Sequence, residues 1–184
     1  MQTDVATEPI TVVDGLLPDP HAYRADVLRL PFQTVRDGDT SFHGIASLDV
    51  ATDPVAARIR DRYPTARPHL SFVRRSPEGQ REPNFIHADD GRGEWTGILY
   101  LNPSPALGDG TDFWRFRETG EVTDRWRDRS TDVSAWERWL HCEAAFNRLV
   151  LFDAPLFHSR ALFDNYGADE GARLIQVVCG TWAR

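Results

Sequence analysis

With 184 residues, 41% of them hydrophobic and 27% charged, the chain is long enough to bury a core and reads as one globular domain over residues 1–184. A formal charge of −7 argues against a general binder of nucleic acid or anionic membrane, since either partner calls for a basic face. No apolar run is long enough to span a bilayer, and two cysteines, Cys142 and Cys179, form neither a disulfide framework nor a CxxC motif.

At the N-terminus, "MQTDVATEPITVV" lacks a basic segment followed by an apolar one, so no secretory signal is expected and a reduced, cytoplasmic protein is. "ITVVDGLLPDP" opens with a short apolar strand and ends in a helix start, with Asp19 as N-cap and Pro20 in the first helical position of "HAYRADVLRL". Asp53-Pro54 repeats the signal before "VAARIRDRY", which Pro64 stops. Residues 1–65 thus form an N-terminal strand and helices, and both helices are expected to precede every strand of the main sheet. From Leu70 the pattern changes to "HLSFVRR", "NFIHAD", "WTGILYLN", "TDFWRF", "RLVLFD" and "RLIQVVCGTW", short apolar or alternating runs mostly parted by turn residues. Between them, "STDVSAWERWLHCEAAF" places Val133, Trp136, Leu140 and Ala144 on one helical stripe, predicting a helical insert near 130–146 within a β-core over 66–184. The class is α+β, with the strands in a sandwich or open barrel.

His87-Ala88-Asp89 sets an imidazole and a carboxylate two residues apart. On an extended segment both point to one side and can reach one ion, although a plain polar turn reads the same way. A two-His, one-carboxylate face would need one more histidine. His21 and His43 lie in the N-terminal region, His69 opens the strand before the pair, and His141 falls on the expected helix. His158 follows "RLVLFDAPLF", at a strand end or entry, as a third ligand or as a hydrogen-bonded turn histidine. Arg173 starts "RLIQVVCGTW" at the mouth of the apolar face carrying Ile175, Val177 and Cys179. There its fork would suit a carboxylate, or would snorkel to water.

The order HxD, "YLN", "GDGTDFW", "RLVLFDAPLFHSR" and "ARLIQVVCGTW" resembles the Fe(II)/2-oxoglutarate-dependent dioxygenases, in particular their prolyl-4-hydroxylase-like branch. The likeness runs over most of residues 84–184 and more loosely over 10–35. It implies a double-stranded β-helix, a jelly-roll or cupin-like core, with the N-terminal helices packed on the major sheet. It also implies Fe(II) held by His87, Asp89 and His158, 2-oxoglutarate as cosubstrate, and O₂. By the same resemblance Arg173 pairs with the far carboxylate of 2-oxoglutarate, Tyr100 hydrogen-bonds it, and Thr111 and Asp112 belong to a structural turn. The activity implied is oxidation of a small molecule, an amino acid or a peptide-like intermediate, coupled to release of succinate and CO₂. Asp89 favours hydroxylation over halogenation, since the family's halogenases lack a carboxylate there.

Two departures stand out. Arg173 lies 15 residues after His158, which predicts an enlarged hairpin at "ALFDNYGADEGA" and leaves Arg160 as an alternative anion partner. The turn reads "GDGT" in place of adjacent glycines. Trp114, Trp126, Trp136 and Trp139, amid arginines, are the expected cover over the iron, with Trp114 and Arg160 as substrate-binding candidates. A cupin-like metal enzyme that does not use 2-oxoglutarate, and a non-catalytic β-sandwich module, are the competing readings.

Overall fold

Asp19 and Asp53 each accept a hydrogen bond from the backbone N–H two or three residues on, and each is followed by proline, so two helices start where the sequence predicts. These are α1 (Pro20–Leu28) and α2 (Pro54–Arg62). The structure is a computed structural model that describes residues 9–38, 40–80, 85–123 and 132–184. Ten strands follow the chain: β1 (Ile10–Asp14), β2 (Gln33–Asp37), β3 (Thr40–Ser47), β4 (Ala66–Ser76), β5 (Trp95–Tyr100), β6 (Gly110–Phe116), β7 (Trp136–Glu143), β8 (Arg148–Asp153), β9 (His158–Arg160) and β10 (Arg173–Trp182). They form a seven-stranded sheet, ordered β1-β8-β5-β10-β4-β3-β2, and a three-stranded sheet, ordered β7-β6-β9. All these pairings are antiparallel.

Two-residue alternation divides the major sheet between two cores. Leu99, Leu149, Leu151, Leu174 and Val178 face outward and pack against Val27, Val55, Ala56 and Ile59 of the helices. The intervening Ile98, Tyr100, Val150, Phe152, Ile175, Val177 and Cys179 face the minor sheet and pack with Phe113 and Cys142. Asp53 ties helix to sheet as well as capping it. Its Oδ2 accepts from Ser71 Oγ at 2.7 Å and from Gln176 Nε2 at 2.8 Å, so a buried carboxylate is met by donors throughout.

Several expectations are corrected. The helix near 130–146 is not formed over its described part: Val133–Ala135 make one 3-10 turn, and Trp136–Glu143 are β7, paired with β6. Leu140 and Ala144 are four apart, an even spacing that fits one strand face as readily as one helix stripe, and pairing with β6 decides between them; the register shift between Phe113 and Trp114 turns Trp136 to the other face, with Trp114 and Phe116. His141 is therefore a strand residue. The helices do not precede the main sheet, because β1 pairs with β8, and β2 and β3 extend the sheet beyond β4. "QTVRD" and "TSFHGIAS" carry too many polar residues to show the alternation of a buried strand; β2 is the sheet edge and β3 lies next to it. "NFIHAD" is no strand either. Asn84 lies outside the described residues, and His87 alone makes a β-bridge, to His158. The 161–172 segment is a crossover rather than a hairpin, leading from β9 in the minor sheet to β10 in the major one.

Among the described residues no helix is long and apolar enough to cross a membrane. Both cysteines are buried as free thiols.

Gly180 fixes a close approach. β10 shifts register between Cys179 and Gly180, and a Cβ on Gly180 would lie 2.2 Å from Trp95 Cζ2 and 2.6 Å from Arg67 O. Gly180→Ala should cost about 1–3 kcal/mol through overpacking, read as a lower urea midpoint at unchanged slope.

Candidate metal centre

His87 and His158 meet because their backbones bridge, His87 N to His158 O at 3.0 Å and the reverse at 2.9 Å, which sets their ring centroids 4.4 Å apart. Asp89 is anchored by its own N–H to Ala154 O at 2.8 Å, and its carboxylate faces the Nε2 atoms of both rings. His158 Nε2 lies 3.5 Å from Asp89 Oδ2 and His87 Nε2 lies 3.9 Å from Asp89 Oδ1. One ligand atom from each residue falls within 4.8 Å of the other two, a grouping able to hold a metal ion.

The surrounding hydrogen bonds set the chemistry of this group. His87 Nδ1 is 3.2 Å from Phe85 O and His158 Nδ1 is 2.9 Å from Leu156 O. A carbonyl only accepts, so both Nδ1 atoms carry hydrogen, and in the neutral rings both Nε2 lone pairs remain for a ligand bond. Thr96 Oγ1 donates to Asp89 Oδ2 at 3.1 Å. Burial, and then the neighbouring His158, lower the His87 pKa to about 4, while 41% of its side chain stays open. Burial pushes the Asp89 carboxyl upward, but the His158 hydrogen bond and the charges of His158, His87 and Arg92 outweigh it and hold the group well below the usual carboxylate range. At neutral pH the set is a neutral imidazole at His87 and an ionised carboxylate, the forms that bind divalent metal. Burial also pushes the Cys179 thiol, 3.7 Å from Thr96 Oγ1, up to about 12, which leaves it protonated behind the centre.

The shifted His87 gives the metal-free protein a signed pH dependence. Its ordinary value of 6.5 governs the unfolded chain and about 4 the folded one, so between them the unfolded state binds more protons. Stability present above pH 6.5 should drain away as the pH falls towards 4. Urea midpoints measured in chelator across this window should fall less steeply for His87→Gln than for the parent.

The three residues sit in the wall of a cavity of about 500 Å³, which Thr111, Arg160 and Arg173 also line. Arg173 is 5% exposed, and among the described residues its hydrogen bonds leave from Nε alone, to Asp109 Oδ1 at 3.0 Å and Oδ2 at 3.2 Å. Asp109 also accepts from Tyr166 OH at 3.0 Å and from Gly110 N at 2.7 Å. Tyr100 lies behind the wall rather than in it. Its hydroxyl is 2.5 Å from Thr111 Oγ1, and burial raises its pKa. Arg160 directs Nε to Leu162 O at 2.8 Å, Nη1 to Asn165 Oδ1 at 3.0 Å and Nη2 to Phe163 O, fastening the loop after β9.

The tryptophan cover is corrected. Trp114 donates Nε1–H to Ser159 Oγ at 2.9 Å and packs with Ile86, Phe116, Trp136 and Phe157, a satisfied core position that does not line the cavity. Trp139 is not in the cavity wall either, and Trp126 lies outside the described residues. Sequence reasoning missed Asp109, whose only mark was the departure from adjacent glycines in "GDGT". It also missed Thr96, a lone threonine in an apolar strand.

No family model matches the sequence, and no curated protein matches it. Solved structures do. A prolyl-4-hydroxylase from Pseudomonas putida is 18% identical with a TM-score of 0.60, covering 98% of this chain and 95% of its own. The non-haem alpha-ketoglutarate-dependent carbocyclase SnoK from nogalamycin biosynthesis is 14% identical with a TM-score of 0.61, covering 93% and 78%. HygX from Streptomyces hygroscopicus, with nickel and 2-oxoglutarate bound, is 15% identical with a TM-score of 0.53, covering 94% and 82%. The fold is that of the Fe(II)/2-oxoglutarate oxygenases. It is the double-stranded β-helix that the sequence resemblance implies, with its helices on the outer face of the major sheet. At such identity the likeness concerns the fold, and chemistry has to be argued from the residues.

Proposed function

We propose that the protein is an Fe(II)/2-oxoglutarate-dependent oxygenase, a hydroxylase by preference, that oxidises a small molecule. The observation that carries the reading is the convergence of His87, Asp89 and His158 on one point of the cavity wall, with both Nε2 atoms turned to the carboxylate. Two nitrogen ligands and one carboxylate leave coordination positions open, the donor set suited to non-haem Fe(II). His87, Asp89 and His158 would hold the iron, and Arg173 would hold the far carboxylate of 2-oxoglutarate. When bound, iron, 2-oxoglutarate and O₂ supply the oxidising power for a C–H bond, with succinate and CO₂ released.

The chain's own contribution is orientation. Phe85 O and Leu156 O fix the two ring tautomers, Thr96 holds one carboxylate oxygen, and Asp109 holds Arg173 through Nε so that the Nη edge is left for an anion. Tyr100 acts at one remove, through Thr111. A cytoplasmic setting belongs to the same proposal, as does a small-molecule partner sized to a cavity of about 500 Å³.

One observation favours a second reading, a metal enzyme of the same fold that does not use 2-oxoglutarate. Arg173 already has a carboxylate partner in Asp109. Anaerobic addition of Fe(II) and then 2-oxoglutarate separates the two. The oxygenase reading expects a weak visible charge-transfer band with both present and succinate on admission of air. Iron bound without that band supports the second reading, and no metal bound at all removes both.

A further inference from the structure

The described lining of the cavity and the chain as a whole carry opposite formal charge. The sequence carries a formal −7, yet the described residues lining the cavity include five arginines, at 36, 74, 92, 160 and 173, against Asp89 as the one carboxylate. Arg173 faces Asp109 behind the wall, and Arg92 Nε lies 3.8 Å from Asp89. Arg36 and Arg74 line the cavity from β2 and β4, on the other side of the major sheet from β5 and β8.

The wall in which they stand is apolar. Leu70, Phe72 and Arg74 occupy alternate positions of β4 and face the cavity, while Ser71 and Val73 face the helices. Arg74 is paired in register with Ile45 on one side and Ile175 on the other, and its guanidinium carbon lies 5.9 Å from the centre of the Phe42 ring. Val35 and Phe42 continue the same surface toward Arg36. A surface of this kind buries hydrocarbon and presents fixed positive charge at one end, so it discriminates by polarity and by charge together.

We propose that the substrate is an amphiphilic anion. Its apolar body lies along Val35, Phe42, Ile45, Leu70 and Phe72, and a carboxylate or phosphate head is met by Arg36 and Arg74. The proposal rests on reading this cavity as the oxygenase active site, and it narrows the substrate to molecules that carry an aliphatic or aromatic body and one anionic group.

Calorimetry on the full chain with Mn(II) and 2-oxoglutarate present tests it with four probes: decanoate, decyl phosphate, decanamide and decyltrimethylammonium. An anion should bind about tenfold or more tightly than decanamide, with the cation weakest. Whichever of decanoate and decyl phosphate binds more tightly names the head group. Arg36→Gln, an exposed position, should reduce the preference for the anion over decanamide. Arg36→Gln/Arg74→Gln should reduce it to about threefold or less while affinity for decanamide holds. Equal affinity for anion and amide, a preference for the cation, binding of no probe, or a preference unchanged in both variants overturns the proposal. The two readings fail separately. A missing Fe(II)/2-oxoglutarate band with the anion preference intact rejects the oxygenase, whereas an intact band with no anion preference rejects the amphiphilic anion.

Discussion

On the proposed reading, His158→Ala should lower affinity for Fe(II) by more than about 100-fold and bring succinate formation to background, because it would remove a ligand rather than a group that merely orients one. His158 is 3% exposed, its ring centroid 4.6 Å from that of Phe152 and 4.4 Å from that of His87 in tilted contacts, so the variant also loses packing. A destabilised protein would bind metal poorly for a trivial reason. His141→Ala supplies the control. His141 is also a strand histidine with a buried carboxylate partner, Asp112 at 2.6 Å, but it lies outside the cavity wall. If both variants retain the far-ultraviolet spectrum of the parent and only His158→Ala loses the charge-transfer band, the loss belongs to the metal centre. Equal loss in both, or retention of iron by His158→Ala, would reject His158 as a ligand.

His158 also shows what kind of information the sequence holds. Its place after an apolar strand and a proline turn was legible, and so was the two-residue spacing of His87 and Asp89, because both are local patterns. What brings them together is a bridge across 71 residues of chain between His87 and His158, and no local pattern encodes that. The family resemblance bridged the gap by supplying an order of elements. The inner strands were legible for a related reason. β5, β8 and β10 are buried on both faces, so they read as continuous apolar runs. The edge strand β2 and its neighbour β3 were not, since their polar residues hide the alternation and a sheet margin is free to be polar. β7 was misread because residues spaced by four satisfy both periods and only the partner strand chooses. Trp114 was misplaced for a different reason: composition counts aromatic rings but does not say which side of a sheet they take.

The buried pair between Arg173 and Asp109 carries the second large effect, and it separates structure from chemistry at one residue. Both groups are almost fully enclosed, 5% and 1% exposed. Arg173→Gln alone leaves the Asp109 carboxylate with Tyr166 OH and Gly110 N–H but no countercharge, and breaking such a pair costs about 3–5 kcal/mol. For a chain of this length that corresponds to a fall in Tm of roughly 6–20 °C. Asp109→Asn alone should also destabilise, since it leaves a buried guanidinium facing a neutral amide. Arg173→Gln/Asp109→Asn removes both charges and can keep a hydrogen bond between the two amides, so it should recover stability to within about 1–2 kcal/mol of the parent. Urea unfolding of the four proteins closes the cycle. Affinity for 2-oxoglutarate should not follow stability around it. If Arg173 holds the far carboxylate through its Nη edge, the double variant should be stable and still bind 2-oxoglutarate at least about tenfold more weakly. A double variant with parental affinity would make Arg173–Asp109 a structural pair only, and would transfer the anchoring role to another arginine of the cavity, Arg160 first. Asp109→Asn is informative in the opposite sense. Asp109 fixes Nε and also places a negative charge beside the site where a dicarboxylate would bind, so its loss weakens the orientation of Arg173 and relieves repulsion at once. A larger KM for 2-oxoglutarate with an unchanged kcat would show that orientation is the stronger of the two effects, and a smaller KM would show that repulsion is.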